Sequence, residues 1–280
     1  MSNKRLVVHS AFESYDVLVD RTTIWGNRYW EFGATNHDPV EKKVHVHMDQ
    51  IKADLTSGKI TLWDLLSLRG KVLGCWCCTP NKPDATCHGW NLVSMAEWAY
   101  QQLFSNDLIN IEGQRRIKQF NDEYGSRFLS NFWRSDAELQ YAGLNSHYTE
   151  CIYQAFKFHH DYSEEGQYCD QAALEAHEIR DEILTLAPGA AKKLATANKS
   201  MVRPDWQDVN LQCMYAINKQ KYLLNTNLKK QLLDTGDAYL EEGNRWGDKF
   251  YGVCLKTGKG ENHLGLILMR IRDELRKCEK

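Results

Sequence analysis

Glu150, Tyr153, Gln154 and Lys157 recur at i, i+3, i+4 and i+7, so in a helix an acid and an amine share one stripe. Cys151, Ile152, Ala155, Phe156 and Phe158 fill the opposite arc. A carboxyl and an amine on one face suit proton transfer or imine chemistry, although a solvated polar face needs no more than the same pattern. Thr149 stands where an N-cap belongs, and a carboxylate in the first turn also gains from the helix dipole. A second acid, Asp248, lies in Trp246-Gly247-Asp248. Gly258, Gly260 and Asn262 follow, just ahead of a helix marked by Leu264, Ile267, Leu268, Ile271 and Leu275. Glycines at a helix's positive end suit an anion such as phosphate. The run is not a P-loop, because five residues rather than four separate Gly252 from Gly258, and Gly260 stands where Ser or Thr would bind magnesium.

Other side chains invite the same double reading. Asn131 and Phe132 sit in an aromatic turn, Tyr124 to Trp133, suited either to a ligand or to bridging backbone groups. Trp206 follows Arg203-Pro204-Asp205, where Asp205 caps a long helix and the Trp packs as a staple or stacks on a base. Arg21 and Arg28 flank Trp25-Gly26-Asn27, a site for a phosphate or base, or a surface turn anchored by its Trp. Cys75, Cys77, Cys87 and His88 are soft ligands of the kind zinc takes. Their spacing fits poorly: Cys-x-Cys faces an adjacent Cys-His whose side chains ordinarily diverge, so the expectation is buried structural thiols and no metal. The zinc deaminase signature is absent as well.

The elements that must hold these groups fall into two sets. With 280 residues, two domains are expected: 1–105, a linker over 106–116, and 117–280. The first reads as α+β, with strands at Leu6–Val8, Val17–Val19 and Lys71–Cys78, a helix over Asp54–Leu68 and another over Leu92–Phe104. The second reads as mainly helical with a few short strands; helices are expected at 149–158, 172–186, from 188, from 206, at 228–233 and from 264.

Hydrophobic residues at 42% and charged residues at 26% exclude disorder, and a net charge of -2 gives no global field for nucleic acid. Any nucleic-acid contact must be local, with Lys192, Lys193, Lys199 and Arg203 as candidates or as plain solvated surface. No apolar run has the length of a membrane span, and no signal segment follows Met1. Nine scattered cysteines point to a reducing cytoplasm, or a host's cytoplasm if a phage encodes the chain.

Five motifs read together resemble the NADAR (NAD and ADP-ribose, YbiA-like) family: Phe128–Phe132, Glu150–Phe158, Arg203–Trp206, Trp246–Asp248 and Gly258–Gly265. The resemblance spans roughly residues 117–277 and implies a small, mainly helical N-glycosidase. Its substrate would be a ribosylaminouracil phosphate of riboflavin synthesis or an ADP-ribosylated guanine of nucleic acid. It further implies that Glu150, Trp206 and Asp248 are essential, and that Asn131, Gln154, Lys157, Trp246 and Asn262 shape the pocket. Cys151 and Asn210 depart from the family pattern, where a more polar residue, often His, and Lys are usual, so substrate choice is expected to differ. The N-terminal segments around Arg21–Asn27, Leu73–Cys77 and Cys87–Gly89 resemble an uncharacterised bacterial and phage domain, which implies no activity.

Cleavage of a C–N glycosidic bond puts positive charge on the ribose and asks for a proton at the leaving nitrogen. Glu150 as acid/base near carbon 1 and Asp248 as the group that holds the ribose or stabilises the cation divide those tasks, with Lys157 as an alternative nucleophile. Trp206 or Trp246 would stack on the base, Gly247 would let the backbone approach the substrate closely, and no cofactor is required. The rivals are a reader that binds ADP-ribose without cleaving it, and a metal-binding module in the N-terminal unit. Glu150, Asp248 and Trp206 are expected to converge on one cleft.

Overall fold

A computed structural model of the chain describes residues 6–78, 87–104, 115–121, 123, 125–159 and 171–278, with the side chains of 171 and 172 excepted. Two compact units divide it, Met1–Ser105 and Asn106–Lys280. Most of the expected linker, 106–114, lies outside the described residues, as do Tyr124 and the loop 79–86. Arg116, expected in the linker, instead begins a strand of the second unit.

The first unit contains β1 (Val7–His9), β2 (Val17–Leu18), α1 (Val40–Ser57), α2 (Leu62–Leu66), β3 (Leu73–Cys75) and α3 (Gly89–Phe104). β3 is the central strand and pairs in parallel with both others. β1 and β3 are buried at every residue, and Val7, Leu73, Leu92, Ala96 and Ala99 form the core between sheet and α3. The single helix expected over 54–68 is two. Gly58 adopts a left-handed φ of 76° and closes α1, and a capping box between Thr61 and Asp64 opens α2.

α1 itself escapes an apolar-periodicity search because its inner face is partly polar. Gln50 donates to the Gly26 carbonyl and accepts from the Arg28 amide, while Asp54 takes two hydrogen bonds from the Arg28 guanidinium. Those bonds make burial of Gln50 and Asp54 tolerable, and they commit Arg28 to the scaffold.

The second unit contains β4 (Arg116–Ile117), β5 (Leu139–Tyr141), β6 (Leu144–Ser146), α4 (Thr149–Phe156), α5 (Gln171–Thr185), α6 (Pro188–Ala197), α7 (Trp206–Leu224), α8 (Thr226–Asp234), β7 (Tyr239–Leu240), β8 (Gly243–Asn244), β9 (Val253–Cys254) and α9 (His263–Lys277). It is mainly helical, and its strands form two-stranded pairs: β4 with β7, β5 with β6, β8 with β9. α4 packs against α5, α6 and α7, and all eight of its residues are buried. Two expected caps differ. Tyr148, not Thr149, precedes α4, and Thr149 is its buried first residue. Asp205 stands at the N-cap of α7 but caps nothing; its carboxylate takes bonds of 2.5 and 3.0 Å from Arg203. Among the described residues no helix is long and apolar enough to cross a membrane.

Candidate active site

The polar stripe of α4 faces a cavity of about 420 Å³ rather than bulk solvent. Glu150, Tyr153, Gln154 and Lys157 line one side of it; Asn131 and Phe132 line another. Trp246, Asp248 and Tyr251 from the glycine-spaced run, together with Glu242, close the opposite wall. The apolar arc of α4 explains this orientation: Cys151, Ile152 and Ala155 have no exposed surface, and burying them leaves the opposite arc, with Glu150, to face the cavity.

Each carboxyl is held differently. Glu150 accepts a 2.8 Å hydrogen bond from the Gln154 amide one turn on, and its backbone N–H donates to the Asn131 carbonyl at 3.2 Å. Burial pushes the Glu150 carboxyl above the usual range, against the pull of Lys192, the Gln154 bond and Lys157. Asp248 accepts from the Phe250 and Tyr251 amides at 3.0 and 3.1 Å. Asn244 secures the turn beneath it, accepting from the Gly247 and Asp248 amides and donating to the Asp248 carbonyl. Gly247 takes φ 89°, a conformation side chains disfavour, so its part is to let this turn form.

Glu242 was not among the residues expected at the site. Part of the residue is exposed, yet its Oε2 is sealed from solvent with no hydrogen-bond partner. Burial first, then the charges of Asp248 and Glu150, push it up to about 8. Only its place just ahead of Gly243 marks it in the sequence. Lys192, on α6, is the second addition: foreseen as a nucleic-acid contact, it lines the cavity with its ammonium 5.8 Å from the Trp246 ring centre. Lys157 at the end of α4 has its ammonium 5.2 Å from the Tyr153 ring and 5.4 Å from the Trp206 ring, and burial brings it down to about 8.

Several expected site residues lie elsewhere. Trp206 is absent from the cavity wall; it packs behind Tyr153, ring centres 4.9 Å apart, and touches the site through Tyr153 and Lys157. The expected three-way convergence is therefore a convergence of Glu150 and Asp248, with Trp206 one layer back. Arg203 is buried, bonded to Asp205 and stacked 4.6 Å from the Phe156 ring, which removes it from a surface basic patch. Gly258 and Gly260 do not line the cavity either. A Cβ on Gly260 would fall 2.1 Å from the Gly252 carbonyl, so glycine there serves chain packing. Asn262 is spent on the scaffold, accepting from the Glu242 amide at 3.0 Å and donating to the Leu240 carbonyl at 2.8 Å and the Tyr239 hydroxyl at 3.1 Å. The phosphate turn expected over these residues is a clasp that seats Glu242.

The two departures from the family pattern also lie behind the wall. Cys151 donates to the Leu186 carbonyl on the far side of α4, and Asn210 accepts from the Tyr251 hydroxyl. Neither lines the cavity.

One buried and two partly buried carboxyl residues, two amines and aromatic rings surround one cavity, an arrangement suited to acid–base chemistry. The chain belongs to the NADAR family: the NADAR domain matches residues 119–276, more than half of its length. Residues 5–98 match a domain of unknown function, DUF4326. A riboflavin biosynthesis protein of Vibrio vulnificus is 33% identical over 150 residues, covering 54% of this chain and 36% of that protein. An N-glycosidase of Nostoc punctiforme is 37% identical over 89 residues, covering 32% and 56%. The N-glycosidase YbiA of Escherichia coli is 31% identical over 101 residues, covering 34% and 59%. The chain thus spans between about a third and three fifths of the length of these relatives. The NMR structure of Escherichia coli YbiA aligns with a TM-score of 0.46 at 24% identity, over 63% of this chain and 94% of that one.

Proposed function

We propose that the C-terminal unit is an N-glycosidase that hydrolyses a ribose C1–N bond in a phosphate-bearing substrate. The observation that carries this is the meeting of Glu150, Glu242 and Asp248 with Lys157 and Lys192 around one cavity. The names of relatives as N-glycosidases and riboflavin biosynthesis proteins support the reaction class. Glu150, its carboxyl pushed up by burial, gives a proton to the leaving nitrogen as the C1–N bond breaks and the electron pair departs with the base. Asp248, fixed by two amides, faces the cationic ribose. Water then adds to carbon 1 and returns a proton to Glu150. Lys192 and Lys157 balance the carboxylates and attract the phosphate; exposed Trp246 offers its face to the base. No cofactor enters this scheme.

A second reading has an observation of its own. An amine brought down to about 8 is neutral often enough to attack carbon 1. In that route the Lys157 nitrogen bonds to carbon 1, the base leaves with a proton, and ring opening yields an imine that water hydrolyses. Borohydride added during turnover traps such an imine; an unmodified Lys157 rules the route out.

The deciting comparison offers purified protein two substrates, DNA carrying ADP-ribosyl guanine and a ribosylaminouracil phosphate, with products followed by mass spectrometry. Release of free base from one of them, lost in Glu150→Ala, is the expected result. Tight binding without cleavage would instead make the site a reader of ADP-ribose or modified nucleotides.

A further inference from the structure

Three thiols and an imidazole meet in the N-terminal unit at the end of β3 and the start of α3. The ligating atoms of Cys75, Cys77, Cys87 and His88 all lie within 4.8 Å of one another. The divergence expected of adjacent Cys87 and His88 does not occur, because the chain enters α3 just after them and turns both side chains toward β3. We propose that these four residues form a tetrahedral zinc site.

The distances carry the argument. Zinc–sulfur bonds of about 2.3 Å and zinc–nitrogen bonds of about 2.0 Å put sulfur and nitrogen on a tetrahedral edge ~3.6 Å apart. His88 Nδ1 lies 3.7 Å from Cys75 Sγ and 3.5 Å from Cys77 Sγ. The sulfur pairs Cys75–Cys77 and Cys77–Cys87 lie 2.9 and 3.2 Å apart, beyond the roughly 2.05 Å of a disulfide and slightly inside a zinc edge. Opening each of these two sulfur pairs by less than an ångström brings it to the zinc edge of about 3.8 Å.

The surroundings are those of metal ligands. His88 Nε2 lies 2.6 Å from the Val19 carbonyl, which can only accept, so Nε2 carries the proton and Nδ1 presents its lone pair to the thiols. The Gly89 amide donates to Cys87 Sγ at 3.4 Å, a bond that favours thiolate, and Cys87 sits at the positive end of the 16-residue helix α3. Gly89 permits this approach: a Cβ there would press to 2.7 Å from Val7 Cγ1. Cys78, next in sequence, points away and donates to the Val7 carbonyl, so the cluster is selective rather than a heap of thiols. A bound ion would tie β3 to α3 and, through His88, to the chain just after β2, in a unit whose parallel sheet has three short strands among the described residues.

The full chain, purified under reducing conditions, should hold one zinc per molecule by elemental mass spectrometry. Cobalt(II) in its place should give the intense visible bands of a tetrahedral centre and thiolate charge transfer in the near ultraviolet. Cys77→Ser and Cys87→Ser should each weaken zinc binding by at least about 100-fold, while Cys278→Ser, at an exposed thiol outside the cluster, leaves it unchanged. Should the serine variants fail to fold, His88→Cys keeps four ligands and should raise the charge-transfer intensity by about a third, as three thiolates become four. A folded, reduced chain that takes up neither ion overturns the proposal, as does a cobalt spectrum that His88→Cys does not change. A Cys75–Cys77 disulfide in a persistently metal-free chain overturns it in favour of a redox pair.

Discussion

Glu150, Glu242 and Asp248 share a cavity but not a task, and their surroundings separate them. Glu150 and Glu242 are pushed up by burial, whereas Asp248 is bound by two backbone amides. Replacing Glu150 with Gln keeps its shape and the Gln154 contact but removes the titratable proton, so kcat should fall about 10²- to 10⁴-fold with little change in melting temperature. Asp248→Asn should cost a comparable factor in kcat, and a drop confined to KM would remove it from the transition state.

Glu242 makes a separate prediction, for stability. Its folded value of about 8 stands above the ordinary 4.5, so its contribution is fully present below pH 4.5 and is lost as pH rises through 8. Glu242→Gln should therefore be near neutral at pH 4 and stabilising above pH 8, by at most about 5 kcal/mol at 1.36 kcal/mol per pH step. Thermal melts of both proteins across that range measure it; an equal effect at both ends would show that the carboxyl is not buried as described.

At the scale of elements, α4 and the turn from Gly243 to Asn262 are the parts that position chemistry. Asn262 closes that turn with three hydrogen bonds while holding φ 55°, a left-handed conformation that asparagine tolerates better than alanine. Asn262→Ala should cost about 1–3 kcal/mol through the unpaired Glu242 amide and Leu240 carbonyl. In the protein that remains folded, KM for a phosphate-bearing substrate should stay unchanged. A selective rise in KM would restore phosphate binding to the turn. A missed element teaches the same lesson from the other side: α1 carries Gln50 and Asp54 inward, and their partners, Gly26 and Arg28, lie more than twenty residues away. Periodicity counts apolar side chains and has no means of knowing that a distant carbonyl will satisfy a buried amide.

For the whole molecule, a net charge of -2 leaves little long-range attraction for a polyanion. The cations that matter are local, Lys157, Lys192 and Arg127 on the cavity wall. A small phosphate-bearing substrate should then lose less than about 3-fold in kcat/KM between 50 and 200 mM salt, since only a few charges are paired. A fall of about 10³-fold or more over that range would signal the six or more phosphate contacts of a nucleic-acid track, and would move the substrate from free nucleotide to polymer.

The stripe Glu150, Tyr153, Gln154 and Lys157, the two-unit composition and the family motifs were all legible in the order of residues, because helical pitch alone decides which side chains share a face. Whether that face met water or a cavity was not, since this depends on what α6, α7 and the Trp246–Asp248 turn bring opposite it. Sequence spacing argued against Cys87 and His88 as joint ligands, and the approach of β3 to α3 gathered them with Cys75 and Cys77. Trp206 and Asn262 carried family motifs yet lie outside the cavity wall, while Glu242 carried none and lines it. Local pattern fixes direction along one element, but distance between elements arises only when separate hydrophobic faces pack, and a site is made of such distances.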